Sequence, residues 1–559
     1  MQCPPVVPLK RTRPTSRVRR AVCAALAMLS LGYFAPASAQ PVMLSATPTA
    51  VSSLPGSGRT MTFEEARHLL NRTSFAAQVD EIDAFARLSR ADAVDRLLSD
   101  TRRQAAYPPP AWAQKYERAY RPNMTPEERQ LANRREQVER GLELRTWWVA
   151  EMLSTPSPLT EKLTLFWHNH FATSQAKVRS ATLMYQQNVL LRRYATGNFG
   201  AMLREVSKNP AMLIYLDGAQ NRKGAPNENF AREVMELFTL GEGQYSEQDI
   251  KEVARAFTGW SVDADAGEFR FRRALHDDGV KRIFGQEGRF NGDDVITLLL
   301  QQPATSEFVV KKLWREFVSD VPSPQAVREL ASLWRASNYE MKPLLRAMLL
   351  SEAFWAPANR GTLVKSPVDL VIGSLRQFQF SVEDPAPFAV ILRQLGQDLF
   401  APPNVKGWPP GETWLNTTTL LARKGFLNRL FRADEMLKLD GATAAAQAAS
   451  QSTAQLIDRD MMGDGRARAQ TRLAVRSGRE ANQQNRMETA TPPFGVSNQL
   501  RGQYFFSSDQ WFAKVPPQGS ADKVWQTLLA GPPVQAAKDV PHTLAGLRAV
   551  ALDPMYQLR

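Results

Sequence analysis

Helix-start chemistry recurs along this sequence, while strand-like alternation of apolar and polar residues is rare. In TMTFEEARHLLNRTSF, Thr62 and Glu65 have the spacing of a capping box, in which each side chain satisfies a backbone N–H that the first turn leaves open. Thr125-Pro126 with Glu128 repeats the device and adds a proline, whose fixed φ and missing N–H suit the first helical position. Ser157-Pro158, Ser246 with Asp249, and Lys365-Ser366-Pro367 mark further starts. These signals predict a mainly α protein built as a large multi-helical domain. Roughly 440 residues have the composition of a folded body, more than the roughly 250 to 300 that one core sustains, so two lobes are expected.

The ends of that body are set by composition. RTRPTSRVRR, the apolar run AVCAALAMLSLGYFA and the small-residue site Ala37-Ser38-Ala39 follow one another in the order of a secretory signal peptide, expected over residues 1–39. The mature chain is then exported, to the periplasm or the extracellular space. Residues 40–59, rich in Pro, Gly and Ser, read as a flexible leader and 60–439 as the main helical domain. Residues 440–500 have almost no aromatics and read as a disordered insertion, and 501–559 as the last part of the helical domain, where GQYFFSSDQWF restores apolar surface. No later stretch approaches the roughly 18 to 20 apolar residues of a spanning helix, so no membrane span is expected after cleavage. Both cysteines, Cys3 and Cys23, leave with the signal, which removes disulfides, thiolate ligands and a cysteine nucleophile from consideration. Losing Lys10, Arg11, Arg13, Arg17, Arg19 and Arg20 lowers the formal charge from +14 to +8. On a chain this long that is no nucleic-acid signature, but it leaves room for an acidic envelope polymer.

Four stretches concentrate the chemistry. EKLTLFWHNHFATS holds two of only five histidines. On a continuous helix His168 and His170 point to nearly opposite sides, so one ion cannot take both, and geometry favours His168, on the face of Glu161. The bland alternative is two hydrogen-bonded histidines in an aromatic core. Downstream, a helix is expected from Asn227 to Leu240, closed by Gly241. It carries a ladder of Glu228, Arg232 and Glu236, with Glu233 flanking the apolar stripe as the best candidate for a buried carboxylate; the alternative is a solvated salt-bridge face. His276, Asp277 and Asp278 cluster before a glycine with donors that suit a divalent cation. Finally, a Pro- and Gly-rich loop carries Trp408 and Trp414 beside Asn404, Lys406, Glu412 and Asn416. An exposed Trp there would stack on a sugar face, whereas a buried one would wedge the loop onto the core.

Taken in order, HLLNRTSF, KLTLFWHNHFATS, the NPAMLIYLDGAQNRKGAPNENFAREVMELFTLGEGQYSEQDIKEVARAFTGW block, HDDGVKRIFG with FNGDDVI and VVKKLWREFVS, VKSPVDLVIGSLR, and the Trp408 stretch resemble the successive motifs of the bacterial domain-of-unknown-function family 1800. The resemblance runs from about 60 to 435, and MYQLR resembles the family's usual end. It implies export and a companion secreted, sulfatase-related family, domain-of-unknown-function family 1501, as partner. It brings no established reaction, but it directs attention to His68, His168, His170, His276, Asn227, Glu228, Arg232 and Glu233, all inside these motifs. Asp278 stands where an apolar residue is expected, which weakens it as a ligand. The expected site therefore has His168, Glu233 and His276 as catalytic groups and Asn227, Arg232, Lys406 and Trp408 against substrate. His168, His276 and Asp277 are the candidate ligands of a divalent metal. The corresponding function is a metal-assisted enzyme acting on an envelope or extracellular polymer; the alternative is a non-catalytic binding or assembly factor for a co-secreted partner.

Overall fold

Every one of those start signals begins a helix in the computed structural model of the chain, which describes residues 58–437, 504–515, 522–536 and 542–559. Thr62, Thr125, Ser246 and Ser366 close capping boxes with Glu65, Glu128, Asp249 and Asp369, and Pro158 opens the helix Pro158–His170. The expected signal peptide, all but the end of the leader, and the insertion at 440–500 lie outside the described residues. Among the described residues, no helix is long and apolar enough to cross a membrane.

The strands that occur are short antiparallel ribbons, Trp260–Asp263 with Glu268–Phe271, Lys281–Ile283 with Gln286–Gly288, and Ser381–Val382 with Tyr504–Phe505. The last ribbon returns the chain to the body after the insertion. Trp511 completes the return, buried with its indole N–H donating to the Gln377 carbonyl at 3.0 Å. Further on, Val364 bridges Leu558, and the Arg559 N–H donates to the Leu363 carbonyl.

These elements form one unit, Gly56–Arg559, with two hydrophobic cores. Pro158–His170 serves both: Leu159, Leu163 and Trp167 enter one core and Leu165 the other. Lacking a solvated face, it is held as a shared wall. Its polar residues, Glu161, Lys162, His168 and His170, are therefore buried too, and each needs an internal partner.

Candidate functional site

The buried histidines are committed to such partners. Arg192 donates to the Asn188 side-chain oxygen at 2.5 Å, so the Asn188 amide nitrogen faces His168 Nε2, 3.0 Å away. An arginine only donates, so the amide must present its oxygen to Arg192 and its NH2 to the ring, leaving His168 Nε2 as acceptor. Arg192 is itself paired with Glu161 at 2.6 Å, and Glu161 also accepts the Trp148 indole N–H at 2.8 Å. Burial, reinforced by the Arg192 charge, pushes the His168 pKa down to about 3. His170 has the opposite tautomer: Nε2 donates to the Phe238 carbonyl at 3.1 Å and Nδ1 accepts from Lys312 at 3.2 Å. His68 Nε2 donates to the Phe354 carbonyl at 2.8 Å, and burial takes its pKa to about 3 as well.

His276 and Asp277 sit in a different environment. His276 Nδ1 meets the Thr258 carbonyl at 2.8 Å, and its Nε2 lies 3.9 Å from exposed Asp278. Asp277 is paired with Arg255 at 2.9 Å and caps the Gly279 N–H; the Arg255 bonds hold its pKa at about 2. The metal set expected from sequence is therefore not assembled. His168 lies among Trp148, Phe400 and Asn188, whereas His276 and Asp277 lie on the Thr258 and Arg255 loop. No group of three or more ligand-type side chains forms among the described residues. The trio His168, Glu233 and His276 likewise share no partner: His168 meets Asn188, His276 meets the Thr258 carbonyl, and Glu233 meets neither.

The sugar-stacking role expected of Trp408 also gives way. Trp408 is 3% exposed and packs in the second core, as does Trp414. The loop is pinned from the wall helix: Asn169, between the two histidines, accepts the Trp408 N–H at 2.6 Å. Gly407, at φ +88°, lies so close that a Cβ would come 2.2 Å from Asn169 Oδ1. Large aromatic area drives this loop inward.

What the loop does deliver is Lys406, exposed and 3.4 Å from Glu242, within electrostatic reach of Glu233. Glu233 rides on Glu228–Glu236, whose Phe230, Ala231, Val234 and Met235 are buried. Asn227 caps this helix, its oxygen accepting the Asn229 N–H at 2.9 Å, and Arg232 is held by Glu247 at 2.9 Å. Of the four residues placed against substrate from sequence, Asn227 thus caps its own helix and Arg232 ties that helix to Glu247–Ala256. The Glu233 carboxyl has no side-chain hydrogen bond or ion pair among the described residues. Burial, then the neighbouring Glu236, push its pKa above the usual carboxylate value; Lys406 and Arg232 only partly offset this. Glu236, one turn on, accepts the Tyr245 hydroxyl at 2.6 Å, and Tyr215 completes the surroundings of Glu233. A carboxyl with a raised pKa, in the field of a second carboxylate and an ammonium, can transfer a proton.

A family model described as a protein of unknown function, DUF1800, matches residues 68–536. The chain belongs to DUF1800. No curated protein and no solved structure matches it. The matched span contains the whole Glu233 cluster, including members that sequence reasoning passed over, Tyr215 and Tyr245, and also Lys312 beside His170. Burial takes the Lys312 ammonium, which also donates to the Leu237 carbonyl at 3.3 Å, to a pKa of about 8. The Glu233–Glu236 spacing is a readable signal for this candidate site; the tyrosines carry none, since only folding brings them beside the helix.

Proposed function

We propose that this DUF1800 protein is an exported acid–base enzyme that cleaves an envelope or extracellular polymer, with Glu233 as proton donor. The observation that carries this proposal is the half-buried, unpartnered Glu233 carboxyl with its raised pKa, beside Glu236 and Lys406. In the reaction the Glu233 proton moves to a bridging oxygen of the polymer as the bond to that oxygen breaks. Water adds to the other fragment, and its proton returns to the Glu233 carboxylate. Glu236, steadied by Tyr245, is placed to orient that water. Such proton transfer contributes about 10² to 10⁴ in rate.

A second proposal, an assembly factor for a co-secreted sulfatase-like partner, draws on exposed Leu131, Val138 and Leu142 along an otherwise charged helical surface. Incubating native protein and E233Q with envelope-type polymers and counting new chain ends separates the two. Cleavage by native protein that E233Q loses, at equal melting temperature, supports the enzyme; equal cleavage by both rejects Glu233 as donor.

A further inference from the structure

A cleft of about 650 Å³ opens on Tyr116, Glu117, Arg118, Arg121, Arg135 and Asp265. Its cations are only lightly neutralised. Arg118 pairs with Asp265 at 2.8 Å and Arg135 with Glu136 at 3.5 Å, while the Arg121 guanidinium has no partner among the described residues. Glu117 leans away to Arg140 at 3.4 Å.

From this cleft a chain of contacts leads to Glu233. Gln175 donates to the carbonyl of Glu136, next to Arg135, at 2.8 Å and opens the short turn Gln175–Val178, which the exposed Arg179, at φ +57°, ends. Lys177, on the same turn, pairs with Asp217 at 2.7 Å and stands 5.7 Å above the Tyr215 ring. Beyond Tyr215, Asn229 of the Glu233 helix donates to the Leu216 carbonyl at 3.1 Å, and Lys406 pairs with Glu242 at 3.4 Å. Cations and tyrosine rings thus alternate along one path with the uncommitted carboxyl near its end.

We propose that this path binds a linear glycan bearing one acidic group per repeating unit, laid from the arginine cleft past Arg179 and Lys177 to Glu233. Guanidinium and ammonium groups take the carboxylates or phosphates, and the tyrosines take the sugar faces. Six cations (Arg118, Arg121, Arg135, Arg179, Lys177 and Lys406) are interleaved with five acids (Glu117, Asp265, Glu136, Asp217 and Glu242) before the path reaches Glu233 and Glu236. A charge so diluted matches a sugar polymer better than nucleic acid, whose strands carry a phosphate about every 3.4 Å. That cleavage falls at Glu233 rests on the acid–base proposal above; the binding does not.

The test titrates full-length protein with polygalacturonate, a polyol-phosphate polymer, neutral dextran and an oligonucleotide, at low and high salt. The expected result is binding to polygalacturonate or the polyol phosphate that weakens as salt rises, with the tighter of the two identifying the acid group. Affinity should fall at least 10-fold in R121E/R135E and in K177E/R179E, at unchanged melting temperature, because all four side chains are exposed. The inference is overturned if native protein binds neither acidic glycan, if dextran or the oligonucleotide binds as tightly, or if both charge-reversed variants bind as native does. Intact binding with no turnover would overturn the Glu233 proposal alone.

Discussion

Asn188 shows how one residue decides the chemistry of another. By presenting its oxygen to Arg192 it makes His168 Nε2 an acceptor, and burial keeps that ring neutral. His68, His168 and His170 all have pKa values well below 6.5, with burial as the main cause. The unfolded chain therefore binds protons between pH 6.5 and about 3 that the folded chain does not. Stability from these sites is full above pH 6.5 and lost as pH falls, by about 1.4 kcal/mol per pH unit for each ring. Urea midpoints from pH 7 to 4 should show this decline, and H168Q should shallow it by one proton; an identical slope in H168Q would contradict the assignment. The opposed directions of His168 and His170 were legible from a spacing of two. Their partners were not, because Asn188, Phe238 and Lys312 come from other elements.

At the scale of elements, helix starts were legible because a cap acts within four residues of itself, whereas helix ends were less so. The helix expected to reach Leu240 stops at Glu236, because the Phe238 and Leu240 N–H groups turn back to the Glu233 and Met235 carbonyls. That early stop places Glu233 in the final turn, near the Lys406 loop. The run begun at Pro126 likewise continues only through a π-helical segment, Arg134–Glu139, to Ser154. The aromatic content of the 402–414 loop was plain, but not its direction, since exposure and burial use the same residues. With Trp408 buried and Asn169 pinning its N–H, W408A should cost about 3 to 5 kcal/mol as a cavity substitution. Denaturant unfolding measures this, and a loss under about 1 kcal/mol would mean that the ring is not a core residue.

Over the whole molecule, a buried ionic cluster ties distant segments together. Asp369 meets Lys162 from the wall helix and Arg559 at 3.4 Å, while Glu316 pairs with Arg559 at 2.8 Å and Lys162 at 3.4 Å. Lys365, taken to a pKa of about 7 by burial, stands 3.8 Å above the Tyr556 ring close by. Removing the Asp369 charge would leave buried cations uncompensated, so D369N should lose about 3 to 5 kcal/mol in chemical unfolding; a neutral effect would show that the cluster adds nothing net. Nothing in the sequence marked this cluster, whose members are up to 397 residues apart in order (Lys162 to Arg559) and meet only through the fold. The candidate cluster was half legible for the same reason: Glu233 and Glu236 are local, while Tyr215 comes from the end of the helix Pro210–Tyr215 and Tyr245 and Lys406 from loops. The proposed role of Glu233 as proton donor is tested most directly by the pH dependence of chain-end release from an acidic glycan. A general acid must be protonated, so kcat/KM should be high below the Glu233 pKa and fall as pH rises through a value above 4.5. E233Q should lose that limb together with about 10² to 10⁴ of the rate, whereas a profile and rate unchanged in E233Q would contradict the assignment.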